Sequence, residues 1–166
     1  MRLFIAVNFS AEAKNELKRQ IDHLKADSRS GNFTREGNLH LTLAFIGEYS
    51  DIEAVKRALD GITAKEFEIK LKGSGNFGSL YWIGIEKEPA LFELAGALRA
   101  GLEKEGIPFD KKPFSPHITV AREVTTDTKI ILKPESKKSR IDKISLMRSD
   151  RVNGKLTYTE IYEKRF

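Results

Sequence analysis

The stretch "NLHLTLAFIG", Asn38–Gly47, alternates in the manner of a half-buried strand, yet one of its faces carries His40 and Thr42. A second stretch, "SPHITVAR", Ser115–Arg122, sets His117 and Thr119 at the same spacing, 77 residues further on. Side chains at i and i+2 share one face of a strand, so each segment places an imidazole beside a hydroxyl on a rigid support. The intervening Leu41, Leu43, Ile118 and Val120 point the other way, toward a core. A single His-x-Thr needs no more explanation than a satisfied ring on a strand. Two of them, taking two of only three histidines in the chain, need a common one.

Around these segments the periodicity gives an element order. "MRLFIAVNF" predicts a strand, Ser10 a helix cap, and Ala13, Leu17, Ile21 and Leu24 an amphipathic helix over 11–27. A polar turn through Gly31 leads to the first His-Thr strand, 38–46. Ser50-Asp51-Ile52-Glu53 has a capping-box pattern, followed by the apolar stripe Ile52, Val55, Leu59 and Ile62 of a second helix. "FEIKLKG" and "LYWIGIE" predict two strands joined by the loop "GSGNFGS". That loop spells Gly73-x-Gly75-x-x-Gly78, but a dinucleotide fingerprint needs a helix N-terminus after its glycines, and Leu80–Ile83 continue as a strand. Pro89 opens a third helix carrying Leu91, Leu94, Leu98 and Leu102 and stopping near Gly106. After the second His-Thr strand, Asn153-Gly154 joins the last two strands as a hairpin. The order β-α-β-α-β-β-α-β-β-β has no dividing linker, and predicts an α+β fold with residues 1–166 as one domain.

Composition narrows the function classes. Hydrophobic residues make up 40% and charged residues 32%, which describes a globular chain rather than a disordered or fibrous one. The lack of cysteine removes disulfides and thiolate zinc sites together and predicts a cytoplasmic setting. The apolar run Leu3–Val7 is too short for a signal peptide or a membrane span, so Asn8-Phe9-Ser10 and Asn32-Phe33-Thr34 are not expected to carry glycans. A net charge of +5 favours phosphate-rich ligands such as RNA without selecting one. The basic stretch Lys133–Lys143 reads as a solvated loop.

An imidazole on each side of a phosphorus can serve as base and acid for in-line displacement, while hydroxyls hold the phosphate oxygens. Two imidazoles leave a tetrahedral metal site short of ligands, and no Asp or Glu stands at matching spacing. No nucleophile elbow or Ser-His-Asp pattern is present, and His23, next to Leu24 in the first helix, reads as a surface residue.

"NLHLTLAFIGE", "FSPHITVAR" and the ending "LMRSDRVNGKLTYTEIYEKRF" resemble the two-histidine (2H) phosphoesterases, and among them the RNA 2′,3′-cyclic phosphodiesterases, also called 2′-5′ RNA ligases. The resemblance implies two pseudo-symmetric lobes of antiparallel sheet, helices outside and a central cleft, with chemistry that needs neither metal nor ATP. It makes His40 the proton donor and His117 the acceptor, with Thr42 and Thr119 on phosphate oxygens and Arg122 as a further phosphate contact. The implied partners are RNA ends bearing a 2′,3′-cyclic phosphate, tRNA fragments among them, met by a monomer. Ala44 stands where a lysine is frequent in the family, which bears on substrate preference. Strict alternation opposes the role of Arg122, since five residues separate it from His117, unless a bulge turns it back. Phe45 and Phe114 are candidates for stacking a base, but alternation sends Phe45 to the core. The rival readings are an RNA-end binder without turnover and an enzyme for another cyclic or 2′-5′-linked phosphodiester.

Overall fold

In the computed structural model, which describes residues 1–166, the apolar alternations pair into two antiparallel sheets. One has the order β3 (Leu41–Glu48), β1 (Arg2–Val7), β8 (Lys143–Val152), β9 (Lys155–Arg165). The other has the order β2 (Ser30–Phe33), β6 (Ile118–Thr125), β5 (Leu80–Ile85), β4 (Phe67–Phe77), β7 (Lys138–Ile141). His40 immediately precedes β3 in the first sheet, and His117 immediately precedes β6 in the second. This is the α+β architecture that the element order implied.

Helix α1 (Ala11–Asp27) starts where the Ser10 side chain accepts from the Ala13 amide, and it buries Ala13, Leu17, Ile21 and Leu24. Although it follows β1, it packs on β2, β6 and β7 of the other sheet. Helix α3 (Pro89–Lys104) makes the reciprocal crossing: it follows β5 and packs on β3. Helix α2 (Ile52–Asp60) lies against α3, β8 and β9. Its cap is Asp51, whose side chain accepts from the Ala54 amide, one residue later than the box Ser50–Glu53 implied. The crossings knit side chains from both sheets into one core of 38 buried residues.

Seven strands were expected and nine form. β2 was expected as a polar turn, and it becomes a strand by pairing with β6 rather than through any apolar run of its own. β7 falls inside the stretch expected as a solvated loop, where it covers the edge of β4 and turns Ser139 and Ile141 inward. β4 continues through most of "GSGNFGS" to Phe77, so only Gly78-Ser79 is left as the turn, with Gly78 at φ +60°.

Candidate active site

Both His-Thr segments carry the same irregularity. In β3, Ala6 pairs with Thr42 but Ile5 pairs with Ala44, so Leu43 is an extra residue. In β6, Trp82 pairs with Thr119 but Tyr81 pairs with Ala121, so Val120 is extra. Each bulge therefore falls one residue after the threonine and breaks the alternation there. Leu43 and Ala44 are both buried, as are Val120 and Ala121, and the next residue in each strand, Phe45 or Arg122, turns outward. The carbonyls freed by the bulges are satisfied: Leu43 accepts from the Arg99 guanidinium and Val120 from the Thr34 amide.

The bulges answer the alternation argument twice. Arg122 is exposed, between the Val120 bulge and Glu123, which has a left-handed φ of 54° beside a second register shift against β2. Phe45 is the matching residue of the other sheet and is not in the core: it is 37% exposed, with the Arg2 guanidinium 5.2 Å from its ring centre. Phe114 packs against the core and meets Phe92 edge-on at 5.3 Å.

Each imidazole is held by the carbonyl two residues before it. His40 Nδ1 donates to the Asn38 carbonyl at 2.7 Å, and His117 Nδ1 donates to the Ser115 carbonyl at 2.8 Å. A carbonyl can only accept, so the neutral rings carry their proton on Nδ1 and leave Nε2 for chemistry. Nε2 of His40 meets the Thr42 hydroxyl at 2.9 Å, whereas Nε2 of His117 has no partner within the protein.

Aromatic rings flank both imidazoles. Phe4 and Tyr158 lie 4.8 and 5.0 Å from His40, while Phe77 and Trp82 lie 5.8 and 6.4 Å from His117. Burial pushes the His40 pKa below its ordinary value; the bond to the Asn38 carbonyl opposes this, and the charges of Arg122 and His117 push the same way as burial. Burial raises the Tyr158 phenol, against the charges of Arg122 and Arg2. His40 leads into β3 and His117 into β6, and these two strands of different sheets are in contact, which agrees with the charges of Arg122 and His117 acting on His40 and that of Arg122 on Tyr158. No three His, Cys, Asp or Glu side chains gather to hold a metal ion.

Sequence reasoning overlooked Asn38. Its amide nitrogen donates to the Leu156 carbonyl at 2.9 Å and its amide oxygen accepts from the Tyr158 amide at 3.2 Å, fixing the β8–β9 hairpin beside His40. The signal was available only as an asparagine two residues before the histidine.

Comparisons with known proteins bear on the fold and the family. The RNA 2′,3′-cyclic phosphodiesterase of Escherichia coli (strain K12) is 30% identical over 168 residues, covering 96% of this chain and 93% of that one. The protein of the same name from Geobacillus stearothermophilus is 32% identical over 128 residues, a match that covers 72% of this chain and only 41% of that relative. A crystal structure of Escherichia coli LigT complexed with 3′-AMP superposes with a TM-score of 0.84 at 28% identity, covering 99% of this chain and 97% of that one. The 2′-5′ RNA ligase superfamily matches residues 13–153, and the chain belongs to that family.

Proposed function

We propose that the protein is an RNA 2′,3′-cyclic phosphodiesterase in which His40 is the general acid and His117 the general base. Water enters on the His117 side and loses a proton to Nε2 as its oxygen attacks phosphorus. The bond to the ribose 3′-oxygen breaks, and His40 Nε2 protonates that oxygen. A 2′-phosphate stays on the RNA end. Thr42, Thr119 and Arg122 hold the nonbridging oxygens, where developing charge makes positioned donors most effective. The ribose is tied to the departing oxygen, so the nucleoside of the cyclic end lies on the His40 side, where Phe45 offers an aromatic face to its base.

The observation that carries this reading is the matched pair of imidazoles, each locked through Nδ1 to the carbonyl two residues earlier and each followed two residues later by a threonine of the strand it leads into. A binder without turnover has no use for two proton-transfer groups held in one tautomer. The names of the relatives support the substrate class. We further propose that residues 1–166 work as one two-lobed domain, as a monomer, on RNA ends that include tRNA fragments, without metal or nucleotide. No helix is long and apolar enough to cross a membrane.

The test is incubation of an RNA ending in a 2′,3′-cyclic phosphate, in excess chelator and without ATP, with the position of the product phosphate determined. A 2′-phosphate is expected. A 3′-phosphate would reverse the choice of leaving oxygen, and activity restored only by a divalent ion would refute the metal-free mechanism.

A further inference from the structure

We propose that Phe77, backed by Trp82, is a nucleobase platform for a second RNA strand whose 5′-hydroxyl takes the place of water on the His117 side. The inference rests on the acid and base roles given above. It comes from an asymmetry between two otherwise matched half-sites. Beside His40 the aromatic ring of Phe4 is only 4% exposed, and Ala6 stands across from Thr42. Beside His117 the ring of Phe77 is 59% exposed, and Trp82 stands across from Thr119.

The second half-site is built around the indole. Trp82 pairs with Gly75, where an added Cβ would lie 2.3 Å from Cζ2, so glycine leaves the ring room over the neighbouring strand. Phe77, two residues beyond Gly75, then lies 5.6 Å from Trp82 and 5.8 Å from His117. Its ring contributes little to the core, being mostly in solvent at the end of the β4–β5 hairpin. An attacking water has no use for such a surface, whereas a nucleoside does, since stacking on an aromatic ring tolerates any base.

In-line displacement puts the two nucleosides on opposite sides of phosphorus. The 3′-oxygen of the cyclic end departs toward His40 while its 2′-oxygen stays bonded to phosphorus, so the strand supplying the nucleophile approaches past His117 and Phe77. Its 5′-oxygen forms the new bond to phosphorus as the bond to the 3′-oxygen breaks. The 5′-hydroxyl proton passes to His117, and His40 gives a proton to the 3′-oxygen. A 2′-5′ phosphodiester results, with ring strain in place of ATP. The reverse reaction uses the same platform to hold the departing 5′-nucleoside.

The reverse direction provides the assay. Cleavage of 2′-5′-linked diadenosine monophosphate is compared with cleavage of adenosine 2′-(methyl phosphate), whose departing alcohol has no base. The ratio of the two kcat/KM values does not depend on the fraction of folded enzyme. Phe77→Ala is expected to lower that ratio about 5-fold to 100-fold, and Phe77→Tyr to keep it. An unchanged ratio in Phe77→Ala overturns the proposal. So does an equal rise in KM for adenosine 2′,3′-cyclic phosphate and for the dinucleotide, which would put the base of the cyclic end on Phe77. A wild-type enzyme that hydrolyses the cyclic nucleotide but leaves the dinucleotide intact also overturns it, without harm to the hydrolytic reading. Inactivity on the cyclic nucleotide itself would overturn both.

Discussion

Replacement of Asn38 by alanine should weaken the fold slightly and the catalyst more. The side chain makes two bonds to the last hairpin, but they are not equivalent. The Leu156 carbonyl keeps the Arg35 guanidinium as a second donor, so its loss is partly covered. The Tyr158 amide has Asn38 Oδ1 as its side-chain partner and is half-buried, so truncation exposes it to the full cost of an unmade bond. Together these give about 1–2 kcal/mol of destabilisation, or roughly 2–8 °C in Tm. The hairpin carries Tyr158, whose ring closes one side of His40 at 5.0 Å. Loosening it admits water, relieves the burial that lowers the His40 pKa, and lets the imidazole drift. A fall in kcat of roughly 10-fold to 100-fold follows from a displacement on the order of 1 Å. The descending limb of kcat/KM should move to higher pH, because the acid then keeps its proton longer. Asn38→Asp keeps an acceptor for the Tyr158 amide and should retain most of the stability. Chemical denaturation and pH-rate profiles of both variants decide the matter: an alanine variant within about 0.5 kcal/mol of wild type, with an unmoved limb, refutes the reasoning.

Four further outcomes are expected. His40→Ala and His117→Ala should each remove roughly two to four orders of magnitude in kcat, and the double variant should be scarcely worse than either in single-turnover assays, since the pair acts as a unit. Thr42→Ala or Thr119→Ala should cost less, about one to three orders. In the pH profile, the rate should be bell-shaped; because His40, the proposed acid, has its pKa lowered by burial, activity should be lost as pH rises through that lowered pKa. Bound phosphate favours the imidazolium and offsets the charge of Arg122, so the descending limb of kcat should lie at higher pH than that of kcat/KM. Gly75→Ala should displace Trp82 and destabilise by about 1–3 kcal/mol, read by thermal or chemical unfolding.

What was legible in the sequence was whatever depends on local periodicity. The three helices announced themselves through stripes such as Leu91, Leu94, Leu98 and Leu102, and the last hairpin through Asn153-Gly154. β2 and β7 were not legible, because "SGNF" and "KSRI" are strands only by virtue of a partner strand. The same limit applied to Phe45 and Arg122. Counting by twos from His40 and His117 sends both residues to the core, and only pairing with β1 and β5 reveals the extra residue that brings them out. The two histidines could be singled out because a pair of identical spacings is improbable, whereas nothing in the order of residues shows that Asn38 reaches a hairpin some 120 residues away.

Related half-sites need not do equal work, and the differences between these two fit the tasks proposed for them. A general acid that protonates a departing ribose oxygen is stronger when its own pKa is low, which burial among Phe4, Tyr158 and Thr42 provides for His40. The drawback is a smaller charged fraction in the free enzyme, and the substrate corrects it, since the phosphate brings negative charge to the place where Arg122 otherwise opposes the imidazolium. A general base must instead accept a nucleophile from outside. His117 leaves Nε2 without an internal partner, and its flank ends in the exposed ring of Phe77 rather than in a closed aromatic wall. The fold duplicates the motif, and the residues packed around each copy suit His40 to the proposed task of giving the proton and His117 to that of taking it.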